Sequence, residues 1–310
     1  VLNYIKSLNG NKIYLYSFSK SSNSYNLYSS VYAILLLGLF DEIKNISINE
    51  REEWANYILS FQDKDGMFRD EQLETHMSEN GHSWGWYHLL PHVLIALDYL
   101  DRKPKYDFTK ILSIFDNKNI TTWLIEREWI KNPILVSNEI MNIGVALQYS
   151  RDYFENQKAK KIVDELKNWL IDNEINNETG LWGLNSTVFN AVKTTYHILP
   201  IFIYDKDVPI DINKVIDNTL LTENSVGGFS PNINANACED IDSLYILSML
   251  QSSDIDLTRN VDKVIQNHLK WIYVNQNNDG GFVFTRYSKF QYGDQNILSS
   301  KKDESNIFAT

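Results

Sequence analysis

The run Cys238-Glu239-Asp240-Ile241-Asp242-Ser243 places three carboxylates within four residues. Like charges this close disfavour one another's ionisation, so one of the three is expected to hold a proton near neutral pH. A protonated carboxyl in an aromatic cavity is the general acid that an alkene or an epoxide requires. The same residues also have a structural reading, because acids gather at helix starts, where unpaired N–H groups and the helix dipole favour negative charge. Asp242 is the candidate acid, with Asp240 and Glu239 as its catalytic neighbours, and capping stands beside it as the alternative.

A second group of polar residues comes from a repeated phrase. Tyr87-His88-Leu89-Leu90-Pro91 recurs as Tyr196-His197-Ile198-Leu199-Pro200. Proline suits the first turn of a helix, so the phrase predicts both histidines at the N-terminal entry of an apolar helix. Ser29, Ser30, Asn138, Asn142, Glu304 and Ser305 fall at comparable starts. If such helices run parallel, their N-termini pool positive charge at one mouth and favour an anionic group there. His88, His92, Asn138, Asn142, Tyr196, His197 and Glu304 are therefore the candidate substrate-binding residues. His88 and His92 also have the i, i+4 spacing of a metal-ligating pair. Pro91 and the apolar context read them instead as core or outer-sphere histidines, and no metal or cofactor is assigned. The chain has no P-loop, no GxGxxG after a strand, no GxSxG and no HExxH.

The elements that must position these residues repeat. An amphipathic helix, a polar turn with glycine and an aromatic residue recur as WANYILSFQDKDGMF, WLIDNEINNETGLW, LLTENSVGGF and WIYVNQNNDGGF, closing at Phe68, Trp182, Phe229 and Phe282. YIKSLNGNKIY, closing at Tyr14, is a weaker copy, and a degenerate one falls near Trp123 and Trp129. The glycines at 66, 180, 183, 227, 228, 280 and 281 belong to these turns, where positive φ or close approach demands them. A second, more apolar helix follows each turn, predicted over 29–40, 87–100, 137–149, 196–204 and 240–250, with one opening at Glu304. The first helices carry charge outward, as in Glu52 and Glu53, Lys158 to Trp169, Asp211 to Leu221 and Arg259 to Trp271. The second are apolar nearly all round, the mark of a buried helix. The predicted fold is all-α: about six helical hairpins in an (α/α)6 toroid, apolar helices inside and charged ones outside, with an open solenoid as its rival.

Bulk properties narrow the partners. Net charge is −11 and the pI is near 5.0, which argues against nucleic acid and anionic membrane surfaces. Aromatic residues are 13% of the chain, enough for a thick core or an aromatic-lined cavity. The longest apolar run, Val31 to Phe40, is too short to span a bilayer, and no signal peptide is visible. Cys238 is the only cysteine, so no intrachain disulfide can form and a cytoplasmic, reducing location is the default. The chain starts at Val1 and stops at Thr310 as a sixth inner helix opens. It therefore reads as a single toroid domain, 1–310, excerpted from a longer protein.

Residues 227–282, GGFSPNINANACEDIDSLYIL followed by LKWIYVNQNNDGGF, resemble the acid-motif region of class II terpene cyclases of the squalene–hopene cyclase kind. In those enzymes a Gly-Gly-aromatic turn precedes a DxDD motif opening an inner helix. By that resemblance Asp240 matches the first Asp and Asp242 the central acid, while Ser243 stands where the last Asp is expected. Protein prenyltransferase β subunits are similar in their Gly-Gly-Phe turns, but their zinc ligands have no counterpart pattern around Cys238. The resemblance implies protonation-initiated cyclisation of an isoprenoid small molecule, beside a second barrel domain or partner. Two other functions stay open: a non-catalytic toroid acting as scaffold or binding module, and a carbohydrate-active barrel using carboxylates such as Glu139, Asp242 and Glu304.

Overall fold

The computed structural model describes residues 1–22, 24–73, 85–251, 261–292 and 297–310. Among the described residues there are twelve α-helices: α1 Leu2–Ser7, α2 Leu27–Leu39, α3 Ile48–Leu59, α4 Trp86–Tyr99, α5 Thr109–Ser113, α6 Ile120–Ile125, α7 Pro133–Tyr153, α8 Gln157–Glu174, α9 Val188–Asp205, α10 Ile212–Leu220, α11 Ala237–Gln251 and α12 Val261–Asn275. The strands, β1 Phe290–Gln291 and β2 Ser299–Ser300, form one short antiparallel pair. The all-α expectation holds. Arg259, expected to open an outer helix, lies outside the described residues. No helix among the described residues is long and apolar enough to cross a membrane.

The chain forms two compact units, one of Val1–Lys110 with Asn275–Thr310 and one of Ile111–Val274. In the second unit α7, α9 and α11 pack in series, while α8 lies on α7 and α10 lies on α9 and α11. That is a row of apolar helices under a row of amphipathic ones. Helix α10 buries only Val215, Ile216 and Thr219, a single stripe, whereas α7 buries residues on every side from Val136 to Leu147. In the first unit α2 packs on α4, which also carries α3.

Local chemistry sets the starts. Ser47 and Glu50 form a capping box on α3, Asn156 caps α8 and Asp211 caps α10. Thr187 accepts from the Asn190 N–H and starts α9 at Val188, earlier than the predicted 196. This corrects the reading of the Tyr-His-Xaa-Leu-Pro phrase. Pro200 and Pro91 lie inside their helices, so His197 is well inside α9, although His88 does sit in the first turn of α4. A good cap outweighs the proline signal, and the helix runs on through a proline that cannot give an N–H to the Tyr196 carbonyl.

Each turn is closed by an isolated bridge: Gln62 with Phe68, Ile175 with Trp182, Glu223 with Phe229 and Gln276 with Phe282. The first copy closes at Tyr16, paired with Asn9, not at Tyr14. Each turn then docks on a helix of the following repeat. Gly227, at φ +98°, lies against Asn267 and His268 of α12, where an added Cβ would stand 2.7 Å from the Asn267 carbonyl oxygen. The last turn docks on the first helix within the first unit: a Cβ at Gly281 would stand 2.6 Å from the Tyr4 ring. The same unit joins Ser19 to Asn306 by a bridge and the Ile307 N–H to the Phe18 carbonyl at 2.9 Å.

Candidate functional site

The acidic start of α11 separates into three different environments. Asn236 accepts from the Glu239 N–H, and Glu239 accepts from the Asn236 N–H, each at 3.0 Å. This is a capping box, and it accounts for Glu239. Asp240 accepts from the Phe229 N–H and from the Trp271 indole N–H, both at 2.9 Å. One carboxylate thus ties the closing aromatic of a turn, the inner helix α11 and the outer helix α12 together. Burial pushes its pKa above the usual carboxylate range, against the pull of these two donors and of His268.

The architecture repeats this strut. Trp182 N–H donates to Thr195 Oγ1 and Phe282 N–H to Thr310 Oγ1, both at 3.0 Å. The Trp54 indole N–H donates to Ser30 Oγ at 2.7 Å, and Ser30 is the fourth residue of α2 as Asp240 is of α11. Asp240 occupies a position that elsewhere holds a hydroxyl.

Asp242 has no such employment. It is 4% exposed, in the second turn of α11, beyond the reach of the cap and of most of the dipole. Among the described residues its surroundings act on it through burial and charge: burial raises its pKa well above the ordinary value, Lys193 opposes this, and Glu239 and Asp240 add to it. Lys193 is itself 3.7 Å from Glu239 and lies over the Phe189 ring. Tyr196 and Cys238 both lie within the field of Asp242, which, after burial, helps raise their pKa values. The Tyr196 ring meets Tyr245 edge-on at 5.4 Å and His197 at 5.3 Å.

On α9, Lys193, Tyr196 and His197 share one helical face. Ser137 of α7 donates to the Ile134 carbonyl, so its oxygen accepts from His197 Nδ1 at 2.9 Å. That leaves His197 Nε2 as a lone pair, and burial, helped by Lys193, lowers the His197 pKa to about 3. Asn138 and Asn142 are buried on α7. Five sequence-predicted residues, Tyr196, His197, Glu239, Asp240 and Asp242, therefore sit on the packed pair α9 and α11, and two more lie on α7 beside them.

The remaining candidates belong to the first unit. His88 and His92 lie on α4 among Tyr28, Tyr32 and Tyr292. Glu304 does not open a helix. Its carboxylate accepts from the Ser21 N–H at 2.7 Å and from Lys301 N–H at 2.6 Å, anchoring loops. The segment holds a turn instead, in which Asn306 accepts from the Ala309 N–H at 2.9 Å. Glu139 is paired with Arg127 at 3.2 Å.

Sequence reading missed Lys193, Ser137 and Tyr245. The i, i+3 and i, i+4 spacing of Lys193 to Tyr196 and His197 would have found the first, had α9 been extended back to Thr187. It also missed Glu174, buried at the end of α8, where burial lifts the carboxyl to about 7 against a hydrogen bond from the Leu184 N–H.

No curated protein matches the chain, and no solved structure does. The prenyltransferase alpha-alpha toroid domain does match, over residues 1–122 and again over 100–289. The layered hairpins, the Gly-aromatic turns and this match agree, and the chain belongs to the prenyltransferase alpha-alpha toroid family.

Proposed function

We propose that the chain binds an isoprenoid and starts its cyclisation by protonating it with Asp242. One observation carries this reading: of three neighbouring carboxyls, two are consumed by the fold, and the third is buried and receives no hydrogen bond among the described residues, so that burial holds its pKa well above the usual carboxylate range. Such a carboxyl delivers its proton to an alkene carbon or epoxide oxygen, and the resulting carboxylate is reprotonated when the proton shed by the final carbocation is passed back to it. Tyr196 and Tyr245 supply π faces to steady that cation. His197, neutral and with a lone pair on Nε2, is able to accept the proton that the final carbocation sheds. A second barrel, in the same protein or a partner, would complete the cavity, and a reducing, cytoplasmic setting suits the single thiol.

The test is turnover of isoprenoid diphosphates and squalene-type polyenes by the wild-type protein and by Asp242→Asn, with oligosaccharides as a control class. The amide cannot donate the proton, so Asp242→Asn is expected to abolish product while leaving the fold at least as stable at pH 7. Sign and direction agree: a carboxyl with a raised folded pKa loses stability as pH rises from the ordinary carboxylate range to its folded value. Full turnover by Asp242→Asn would refute the assignment. Absence of any isoprenoid binding would favour the scaffold reading.

A further inference from the structure

A carbocation gives up a neighbouring proton to any lone pair that reaches it, so the placement of a base, more than its strength, selects the product. In the cyclisation proposed above that base is His197, and its placement depends on a residue of another helix. Ser137 is the fifth residue of α7 and is fully buried. Its hydroxyl bonds back to the Ile134 carbonyl, one turn earlier, at 3.0 Å. That contact fixes both its rotamer and the direction of its only proton. The oxygen is left as an acceptor, and His197 Nδ1 stands 2.9 Å from it. For this bond Nδ1 must carry the ring's proton and Nε2 the lone pair.

Tyr196 holds the imidazole on a second side, with ring centroids 5.3 Å apart and planes 58° apart. Tyr196 in turn meets Tyr245 of α11 edge-on. Among the described residues, His197 Nε2 receives no hydrogen bond. Burial, helped by Lys193 one turn back on α9, keeps the imidazole neutral, so the lone pair is not lost to a solvent proton at neutral pH. With the proton on Nε2 instead, the ring would offer the cation an N–H and could take no proton from it.

We propose that Ser137 is a positioning residue of the reaction: by accepting from Nδ1 it holds His197 in the tautomer that ends the cyclisation as an alkene. This rests on the cyclase reading above. In the step it serves, a C–H bond beside the cationic carbon breaks, its electron pair closes the C=C bond, and the proton passes to Nε2. The imidazolium, disfavoured by burial, then gives the proton up, and the Asp242 carboxylate recovers it. Where the base is misplaced, a water oxygen adds to the cation and loses a proton, and the product is an alcohol.

The test uses the full chain and has two readouts. Ring nitrogen NMR shifts of His197, assigned by comparison with His197→Gln, report which nitrogen carries the proton with no substrate present. The wild type is expected to show the Nδ1–H form, and Ser137→Ala to move toward Nε2–H. Ser137→Thr, which restores a hydroxyl, is expected to move back. Products from squalene-type polyenes and isoprenoid diphosphates are the second readout. Ser137→Ala is expected to lower the ratio of alkene to alcohol about fivefold, the discrimination that one hydrogen bond supplies, and Ser137→Thr to restore it. Ser30→Ala, which removes a buried hydroxyl from the fold elsewhere, is expected to leave the ratio as it is. An Nδ1–H form that persists in Ser137→Ala, or a product ratio that stays the same when the tautomer changes, would overturn the proposal. A tautomer shift in Ser137→Ala with no turnover by the wild type would instead overturn the cyclase reading, and leave the hydrogen bond standing without its catalytic role.

Discussion

Replacing Asp240 by alanine should destabilise the protein far more than replacing Asp242, two residues along the same helix. The carboxylate of Asp240 accepts two hydrogen bonds of 2.9 Å, from the Phe229 N–H and the Trp271 indole. Phe229 is fully buried and Trp271 is 8% exposed, so water replaces neither bond. Two buried donors left without an acceptor cost about 1–3 kcal/mol each. Some of that is returned, because burial already strains the charged form of Asp240. The net loss is expected to be about 3 kcal/mol, against a total stability of about 5–15 kcal/mol for a typical domain. For units of this size that is a fall in melting temperature of roughly 6–12 °C. Asp240→Asn, which keeps one acceptor, should fall between. Ser30→Ala, losing the single bond from Trp54, should cost about 1 kcal/mol. Thermal unfolding followed by far-ultraviolet circular dichroism at pH 7 measures all three. An Asp240→Ala protein that melts within about a degree of the wild type would refute the strut, and with it the division of labour among the three carboxylates.

Other perturbations test other parts of the reasoning. Gly66 has φ +91°, and a Cβ there would stand 2.4 Å from the Asp107 carbonyl oxygen, so Gly66→Ala should cost about 2 kcal/mol or more by urea titration. Glu174 has a folded pKa of about 7, so stability falls as pH climbs from the ordinary Glu range to 7. Glu174→Gln should therefore gain up to about 3 kcal/mol at pH 8 and nothing at pH 4. Asp205 accepts from Arg151 at 2.7 Å and from Lys167 at 2.5 Å. Burial raises its pKa, but these bonds outweigh it and the net shift is downward. That stability is present above the ordinary Asp range and lost as pH falls through the depressed value. Asp205→Asn should cost about 2 kcal/mol at pH 7 and flatten the acid-unfolding curve.

The fold was legible because its signals are local and repeated. Gly227 must be glycine to reach positive φ against α12, and the pattern around it recurs with the same aromatic partner, so one turn predicts the next. Helix starts were less legible. The proline of Tyr196-His197-Ile198-Leu199-Pro200 suggested a start near 196, yet the Thr187 cap begins the helix two turns sooner. A single hydroxyl in the right place outweighs a residue that merely tolerates the first turn. Glu304 failed for a related reason: its acid suits a helix start, but Ser21 is close in space and far in sequence, and claims the carboxylate first.

The carboxylates of α11 show what a sequence can and cannot separate. Composition alone treats Glu239, Asp240 and Asp242 as one acidic cluster. The repeats distinguish them, because two services recur along the chain. One is a cap, here supplied by Asn236 with Glu239. The other is an acceptor for the aromatic layer, supplied by Ser30, Thr195 and Thr310 in other copies and by Asp240 in this one. Aligning the copies on the fourth residue of α2 and α11 assigns Asp240 to the fold. No copy of the repeat calls for an acid at the position of Asp242. A buried carboxyl costs free energy unless it is paired, and among the described residues this one has the counter-charge of Lys193, itself engaged by Glu239. Among the described residues the fold draws no hydrogen bond from Asp242, and that is the physical argument for looking to chemistry to explain it.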